Sequence, residues 1–230
     1  MRFAGLLLLI CLSAFGAEWQ SLFDGKTLHG WRVEAKPADR EKGFWSVVDG
    51  AIEANSIGRK EHDYVWLIRE GEFGDFELEL KVRDFSESTG NSGVQIRSRW
   101  DAAKEWLHGP QVDIHPPAPW RSGLVYDETW EARRWIHPSL PNWNIEPAQG
   151  PSKWKWKAGE WNDLHITCRG GRITTRVNGV VITDEDLSAV LFDEAHRNHR
   201  VGRTGQIALQ LHARDELKIA YRDIRVRTLE

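Results

Sequence analysis

The sequence predicts an all-β protein built as an antiparallel sandwich. Three observations carry that expectation. Apolar and charged residues alternate with period two, most plainly where Phe76, Leu78, Leu80 and Val82 interleave with Glu77, Glu79, Lys81 and Arg83. Tight-turn dipeptides recur between such runs. No segment sustains the 3.6-residue apolar period of a packed helix. At 230 residues the chain is long enough for one sandwich with a full core.

Along the chain, Trp45–Val48 and Ala51–Glu53 flank Asp49-Gly50, a hairpin signal because both turn residues tolerate positive φ. Phe76–Arg83 is a half-buried strand. Val94 and Ile96 take one face of the segment 91–99, and Gln95, Arg97 and Arg99 the other. In 111–115 Val112 and Ile114 oppose Gln111, Asp113 and His115. Leu124–Glu128 adds a third strand, with Tyr126 and Glu128 on one parity. Leu164, Ile166 and Cys168 alternate, Gly170-Gly171 turns the chain, Ile173, Thr175 and Val177 resume, and Asn178-Gly179 turns it again into Val180–Ile182. Ile207, Leu209 and Leu211, then Ile219 and Tyr221, then Ile224 and Val226 complete the pattern, and the parity change at Arg222-Asp223 predicts a β-bulge. Short helical turns are expected at Asp101–Trp106 and Asp186–Phe192, and His196–Arg200 is expected to be a solvated loop.

The N-terminus stands apart. Arg2 precedes an apolar run through Phe15, and Ala14 and Gly16 supply a small-residue cleavage pattern. Met1–Ala17 therefore reads as a secretory signal, leaving 18–230 as one domain. The run is too short to span a bilayer, so no transmembrane segment is expected. Ile10 before Cys11 does not suit a lipoprotein anchor. Once the leader is gone Cys168 is the lone cysteine, which favours a secreted or periplasmic bacterial domain without disulfides. Cys168 itself reads as a small buried hydrophobe.

The formal charge of −3 offers no basic field for nucleic acid. The 13 Trp against 3 Tyr and 8 Phe suit sugar-facing surfaces or a bulky core. If the strands at 91–99 and 111–115 pair, Gln95, Arg97, Gln111 and Asp113 share one polar face, which suits either an array of sugar hydroxyls or a solvated face of salt bridges. Trp120, Arg133 and Arg134 flank the Tyr126-Asp127-Glu128 segment and are candidates for substrate contact; the Arg pair could instead fix Asp127 and Glu128 by bidentate pairing or balance surface charge. His108, His115 and His137 show no metal-binding spacing, and no nucleophile elbow, phosphate loop or dinucleotide fingerprint is present. Carboxylates remain the acid/base candidates, with Asp113, Asp127 and Glu128 best placed.

Seven segments come in an order that resembles a known family: SLFDGKTLHGW at 21–31, DFELELKVRD at 75–84, NSGVQIRSR at 91–99, GPQVDI at 109–114, SGLVYDE at 122–128, GEWNDLHITCRGGRITTRVNGVVI at 159–182 and GQIALQLH at 205–212. The chain resembles the 3-keto-disaccharide hydrolase domain family over nearly all of 18–230. The resemblance implies a concanavalin A-like jelly-roll sandwich and action on 3-keto-glycosides. The family's polar strand positions fall on Gln95, Arg97, Gln111 and Asp113, its Tyr-Asp-Glu on Tyr126, Asp127 and Glu128, its Arg pair on Arg133 and Arg134, and its late Gln-x-His on Gln210 and His212. Pro110, Trp135, the Asn142-Trp143-Asn144 segment and the 195–203 loop depart from the pattern.

The reaction so implied needs a base for the C2 proton, a donor for the enolate oxygen and an acid for the leaving group. Asp113 or Glu128 is expected as base, Arg97 and Gln111 as enolate donors, and Tyr126 as acid or orienter. A divalent cation held by Asp113 and Glu128 could replace Arg97. Two rival readings stand beside it: a noncatalytic lectin-like carbohydrate-binding module, and an ordinary two-carboxylate glycosidase.

Overall fold

The computed structural model of the chain describes residues 17–230, so the leader expected over Met1–Ala17 lies, except for Ala17, outside the described residues. Strands dominate the chain: β1 (Gln20–Ser21), β2 (Trp31–Ala35), β3 (Trp45–Val48), β4 (Ala51–Asn55), β5 (Val65–Arg69), β6 (Phe76–Asp84), β7 (Ser92–Asp101), β8 (Trp106–His108), β9 (Pro110–Ile114), β10 (Val125–Asp127), β11 (Arg134–His137), β12 (Asn162–Arg169), β13 (Arg172–Val177), β14 (Val180–Asp186), β15 (Gln206–Leu211) and β16 (Lys218–Thr228). Three short α-helices accompany them, α1 (Pro37–Arg40), α2 (Ser188–Leu191) and α3 (Glu194–His199), with single 3-10 turns at Pro119–Arg121 and Pro147–Gln149.

The strands form two eight-stranded antiparallel sheets. The first runs β14-β13-β12-β6-β16-β4-β3, with β1 beside β16. The second runs β11-β10-β9-β7-β15-β5-β2, with β8 folded against β7. The sequence signals explain the local choices. Asn178 and Gly179 take φ 48° and 80° and close the β13–β14 hairpin. Asp223 takes φ 54° where the β16 register shifts between Arg222 and Arg225. That bulge divides the edge of β16, so that β4 pairs with its first half and β1 with its second.

The core lies between the sheets. Leu78, Leu80, Val82, Leu164 and Ile166 of the first sheet and Val94, Ile96, Val112, Ile114, Leu209 and Leu211 of the second are all buried there, with Cys168. Each such aliphatic side chain contributes roughly 1.5–3 kcal/mol. Because strand side chains alternate, the residues between Val94 and Ile96 and between Val112 and Ile114 must face away from this core. The outer face of the second sheet is not a solvated surface. The turn after β7 folds β8 back over it, and Trp66, Ile68, Trp106, Leu107 and Ala208 form a second apolar cluster, with Tyr64 and Trp100 packed alongside.

Three local expectations change. Residues 101–106 form the β7–β8 hairpin, with Glu105 at φ 51°, and not a helical turn. His196–Arg200 is not a solvated loop, because α3 occupies it and His196 is fully buried between Asp127 and Asp193. Arg97 does not stay on the polar face of β7. It adopts φ 48° where the β7–β15 register shifts, and its buried guanidinium runs to the end of the first sheet. There Nε donates to Gly74 O at 2.7 Å, Nη1 to Gly170 O at 2.5 Å and Gly202 O at 3.1 Å, and Nη2 to Asp75 at 2.8 Å. Period-two reading assumes an unbulged strand, and the bulge reverses the parity.

Candidate functional site

A cavity of about 600 Å³ opens on the outer face of the second sheet. Its size suits a small sugar derivative. β9 supplies Gln111 and Asp113, and β10 with the residue after it supplies Tyr126 and Glu128. Gln111 stands in register with Tyr126 across the β9–β10 pair and with Gln95 across the β7–β9 pair. The Gln111 side chain lies across Gly93 of β7, where an added Cβ would come within 2.3 Å of the Gln111 amide carbon, so glycine is required for that approach.

Asp113 is buried, and its Oδ2 accepts Nε of Arg121 at 3.2 Å. Arg121 comes from the loop after β9, and its guanidinium lies 5.0 Å over the Trp135 ring. Glu128 is buried as well, and its Oε1 accepts Nε2 of Gln210 at 2.9 Å. Burial pushes the Glu128 carboxyl up to about 7; the charges of Asp113 and Asp127 add to the rise, while the Gln210 bond and His212 oppose it. Glu128 therefore exchanges its proton near neutral pH, which suits a general base or acid.

The phenols of Tyr126 and Tyr64 are both pushed up, first by burial and then by the charge of Glu128, and stay protonated at neutral pH. Tyr64 Oη lies 2.9 Å from His212 Nε2, and His212 Nδ1 faces Asp215 Oδ2 at 3.0 Å. Burial alone would lower the His212 imidazole, but Asp215 and Glu128 outweigh it and hold it above its usual value. At the rim the Arg133 guanidinium lies 4.8 Å over the Trp130 ring. Trp143, 69% exposed, lines the rim as well, and its carbonyl accepts Trp135 Nε1 at 2.8 Å.

Of the residues expected from sequence, Gln111, Asp113, Tyr126, Glu128, Arg133 and His212 line this one cavity. The others do not. Gln95 is fully buried, its Oε1 accepting the Ser98 hydroxyl at 2.7 Å. Arg97 joins the two sheets instead. Trp120 packs against Gly150 and the core. Arg134 turns to Asp193 at 3.9 Å. Sequence reasoning missed Tyr64, Arg121, Asp215, Trp130 and Trp143. One signal was available for Tyr64: the chain has only 3 Tyr, and two of them line the cavity.

Among the described residues, Asp101, His108 and His199 bring three metal-ligand atoms within 4.8 Å of one another. The two imidazoles stack face to face, with centroids 3.6 Å apart and planes at 12°. Their in-plane lone pairs therefore run side by side instead of converging. His108 Nδ1 already accepts the Trp130 N–H at 3.2 Å. Asp113 and Glu128 lie outside this cluster.

A jelly-roll sandwich that carries a polar, tryptophan-rimmed cavity and a near-neutral carboxyl on one sheet face defines a carbohydrate-active protein of the lectin-like fold. The chain belongs to the 3-keto-alpha-glucoside-1,2-lyase-like domain family, whose model matches residues 18–227. It is 38% identical to a 3-keto-disaccharide hydrolase of Bacteroides thetaiotaomicron, over 91% of this chain and 78% of that protein. In fold it is similar to a provisional glycosyl hydrolase of Parabacteroides distasonis, with TM-score 0.61 at 16% identity over 94% of this chain and 95% of that one. It is also similar to a Bacillus subtilis protein of unknown function with a galectin-like fold, with TM-score 0.53 at 12% identity over 92% and 94% of the two chains. The concanavalin A-like sandwich expected from sequence is the fold observed, and the family points to an enzyme of glycoside hydrolase type. No helix of the described residues is long and apolar enough to cross a membrane.

Proposed function

We propose that the protein cleaves 3-keto-glycosides by abstraction of the proton at C2. The observation that carries this reading is the buried Glu128 carboxyl, raised to about 7 on the wall of a sugar-sized cavity. A 3-keto group acidifies the C2 proton, and a base matched to neutral pH can remove it. Negative charge then develops on the C3 oxygen. Among the donors that line the cavity we assign Gln111 and Arg133 to that oxygen, a role Arg97 cannot fill from its place between the sheets. Expulsion of the C1 substituent gives a C1=C2 enone, and addition of water to it completes a net hydrolysis. Release before water adds would make the same protein a lyase. Asp113, paired with Arg121, is a second carboxylate of the same cavity. We further propose that the chain is exported behind the leader at Met1–Ala17.

The test offers a 3-keto-glucoside and its unoxidised parent side by side. Cleavage of the 3-keto compound alone is the expected result. Cleavage of the parent would replace this reading with a two-carboxylate glycosidase using Asp113 and Glu128. Binding of either without cleavage would leave a lectin-like module.

A further inference from the structure

We propose that Tyr64 is the proton donor to the leaving group, and that His212 and Asp215 supply and orient the proton it gives; the proposal rests on the 3-keto-glycoside reading. Nδ1 of His212 faces two acceptors, Asp215 Oδ2 at 3.0 Å and Ala213 O at 3.1 Å, so it carries a hydrogen. Asp215 is itself held by the Asn91 backbone N–H at 2.8 Å. On the other side of the ring Nε2 lies 2.9 Å from Tyr64 Oη. When the imidazole is doubly protonated, Nε2–H donates to the phenol oxygen, and the phenol hydrogen is left for the cavity. When the imidazole is neutral, Tyr64 must donate to Nε2 and has no hydrogen to offer. The Tyr64 ring is locked by stacking on Trp66, at 5.4 Å and 10°, and by the edge of Trp106 at 4.8 Å.

The charges around this pair are few. Glu128, Asp63 and Asp215 act on Tyr64, with the Tyr126 phenol beside them, and Asp215 and Glu128 act on His212. His115 acts on Asp215. These acids favour the charged imidazole.

The step balances. Glu128 takes the C2 proton and the electron pair passes to the C3 oxygen. As that pair returns, C1=C2 forms, the C3 carbonyl re-forms and the C1–O bond breaks. The departing oxygen takes the Tyr64 proton, Tyr64 takes the Nε2 proton, and His212 is left neutral, its Nδ1 keeping the hydrogen that faces Asp215 Oδ2 and Ala213 O. His212 is about one-third exposed and recovers a proton from water.

The experiment compares methyl 3-keto-glucoside, whose alkoxide needs a proton to leave, with 4-nitrophenyl 3-keto-glucoside, whose phenolate does not. In Tyr64→Phe, kcat on the methyl glycoside is expected to fall about 10²–10⁴-fold, with the nitrophenyl compound near wild type. The wild-type pH profile should fall on the alkaline side for the methyl glycoside only. In His212→Gln, whose amide can still donate to Tyr64, that falling limb should vanish while the fold persists. Equal losses on both substrates in Tyr64→Phe, or an alkaline limb that survives in His212→Gln, would overturn the proposal. A wild type that turns over neither compound would instead overturn the 3-keto reading, and this proposal with it.

Discussion

The side-chain amide of Gln210 donates to Oε1 of Glu128 at 2.9 Å, and both residues are buried. Gln210 is the one hydrogen-bond partner of the Glu128 side chain among the described residues, and it comes from β15, separated from β10 in the sheet by β9 and β7. A carboxylate placed there is stabilised by one neutral donor and by the charge of His212 against strong desolvation. The balance leaves it protonated below about 7 and ionised above.

The acid side of the pH–rate profile should report this pair. A base must be ionised, so kcat/KM on a 3-keto-glycoside is expected to rise with pH through about 7. Gln210→Met removes a charge-assisted bond worth about 1.5–3 kcal/mol. That moves the rising limb upward by about 1–2 pH units. A limb that stays in place would assign it to another group.

Asp113 should matter less to chemistry than Glu128. Its carboxylate is already committed to Arg121, which is bound at 3.2 Å and stacked on Trp135. Glu128→Gln is expected to lower kcat about 10²–10⁴-fold, the scale of a missing general base. Asp113→Asn should give a smaller loss, expressed mainly in KM as Arg121 loses its anchor. The reverse order, measured in kcat on one substrate, would make Asp113 the base.

How legible these roles were depends on whether neighbours in the site are neighbours in a strand. Gln111 and Asp113 could be placed because strict alternation in β9 fixes their face, and Tyr126 and Glu128 because β10 pairs next to it. Tyr64 and His212 are 148 positions apart and meet only because β5 and β15 are adjacent. No periodicity within either segment announces that pairing. His196 was misplaced for a different reason. A six-residue helix has no apolar stripe to detect, and carboxylates from β10 and the α3 N-terminus hold the ring.

Trp143 should set preference for the leaving group. Its ring is exposed at the cavity rim. Stacking of a second ring on such a face contributes about 0.5–1.5 kcal/mol. Trp143→Ala should therefore raise KM for a 3-keto-disaccharide or aryl glycoside by about 2–10-fold and leave the methyl glycoside unchanged. The bond from Trp135 reaches the Trp143 backbone carbonyl, so truncating the side chain keeps the loop anchored. Equal KM shifts on all three substrates would remove Trp143 from specificity.

Arg97 should be essential to stability and irrelevant to turnover. Its buried guanidinium satisfies the carbonyls of Gly74, Gly170 and Gly202 and the Asp75 carboxylate, tying the end of the second sheet to the first. Gly205 packs on the same bulge, where an added Cβ would lie 2.4 Å from the Arg97 carbonyl carbon, so only glycine fits against it. Arg97→Met fills much of the volume but leaves three carbonyls without that donor. Breaking a buried pair costs about 3–5 kcal/mol, and because Asp75 is 36% exposed and can rehydrate, the lower end of that range is expected. Denaturant titration should show that loss, while kcat per folded molecule on a 3-keto-glycoside stays at the wild-type value. A variant with intact stability and lost kcat would return Arg97 to the site, where simple strand parity puts it.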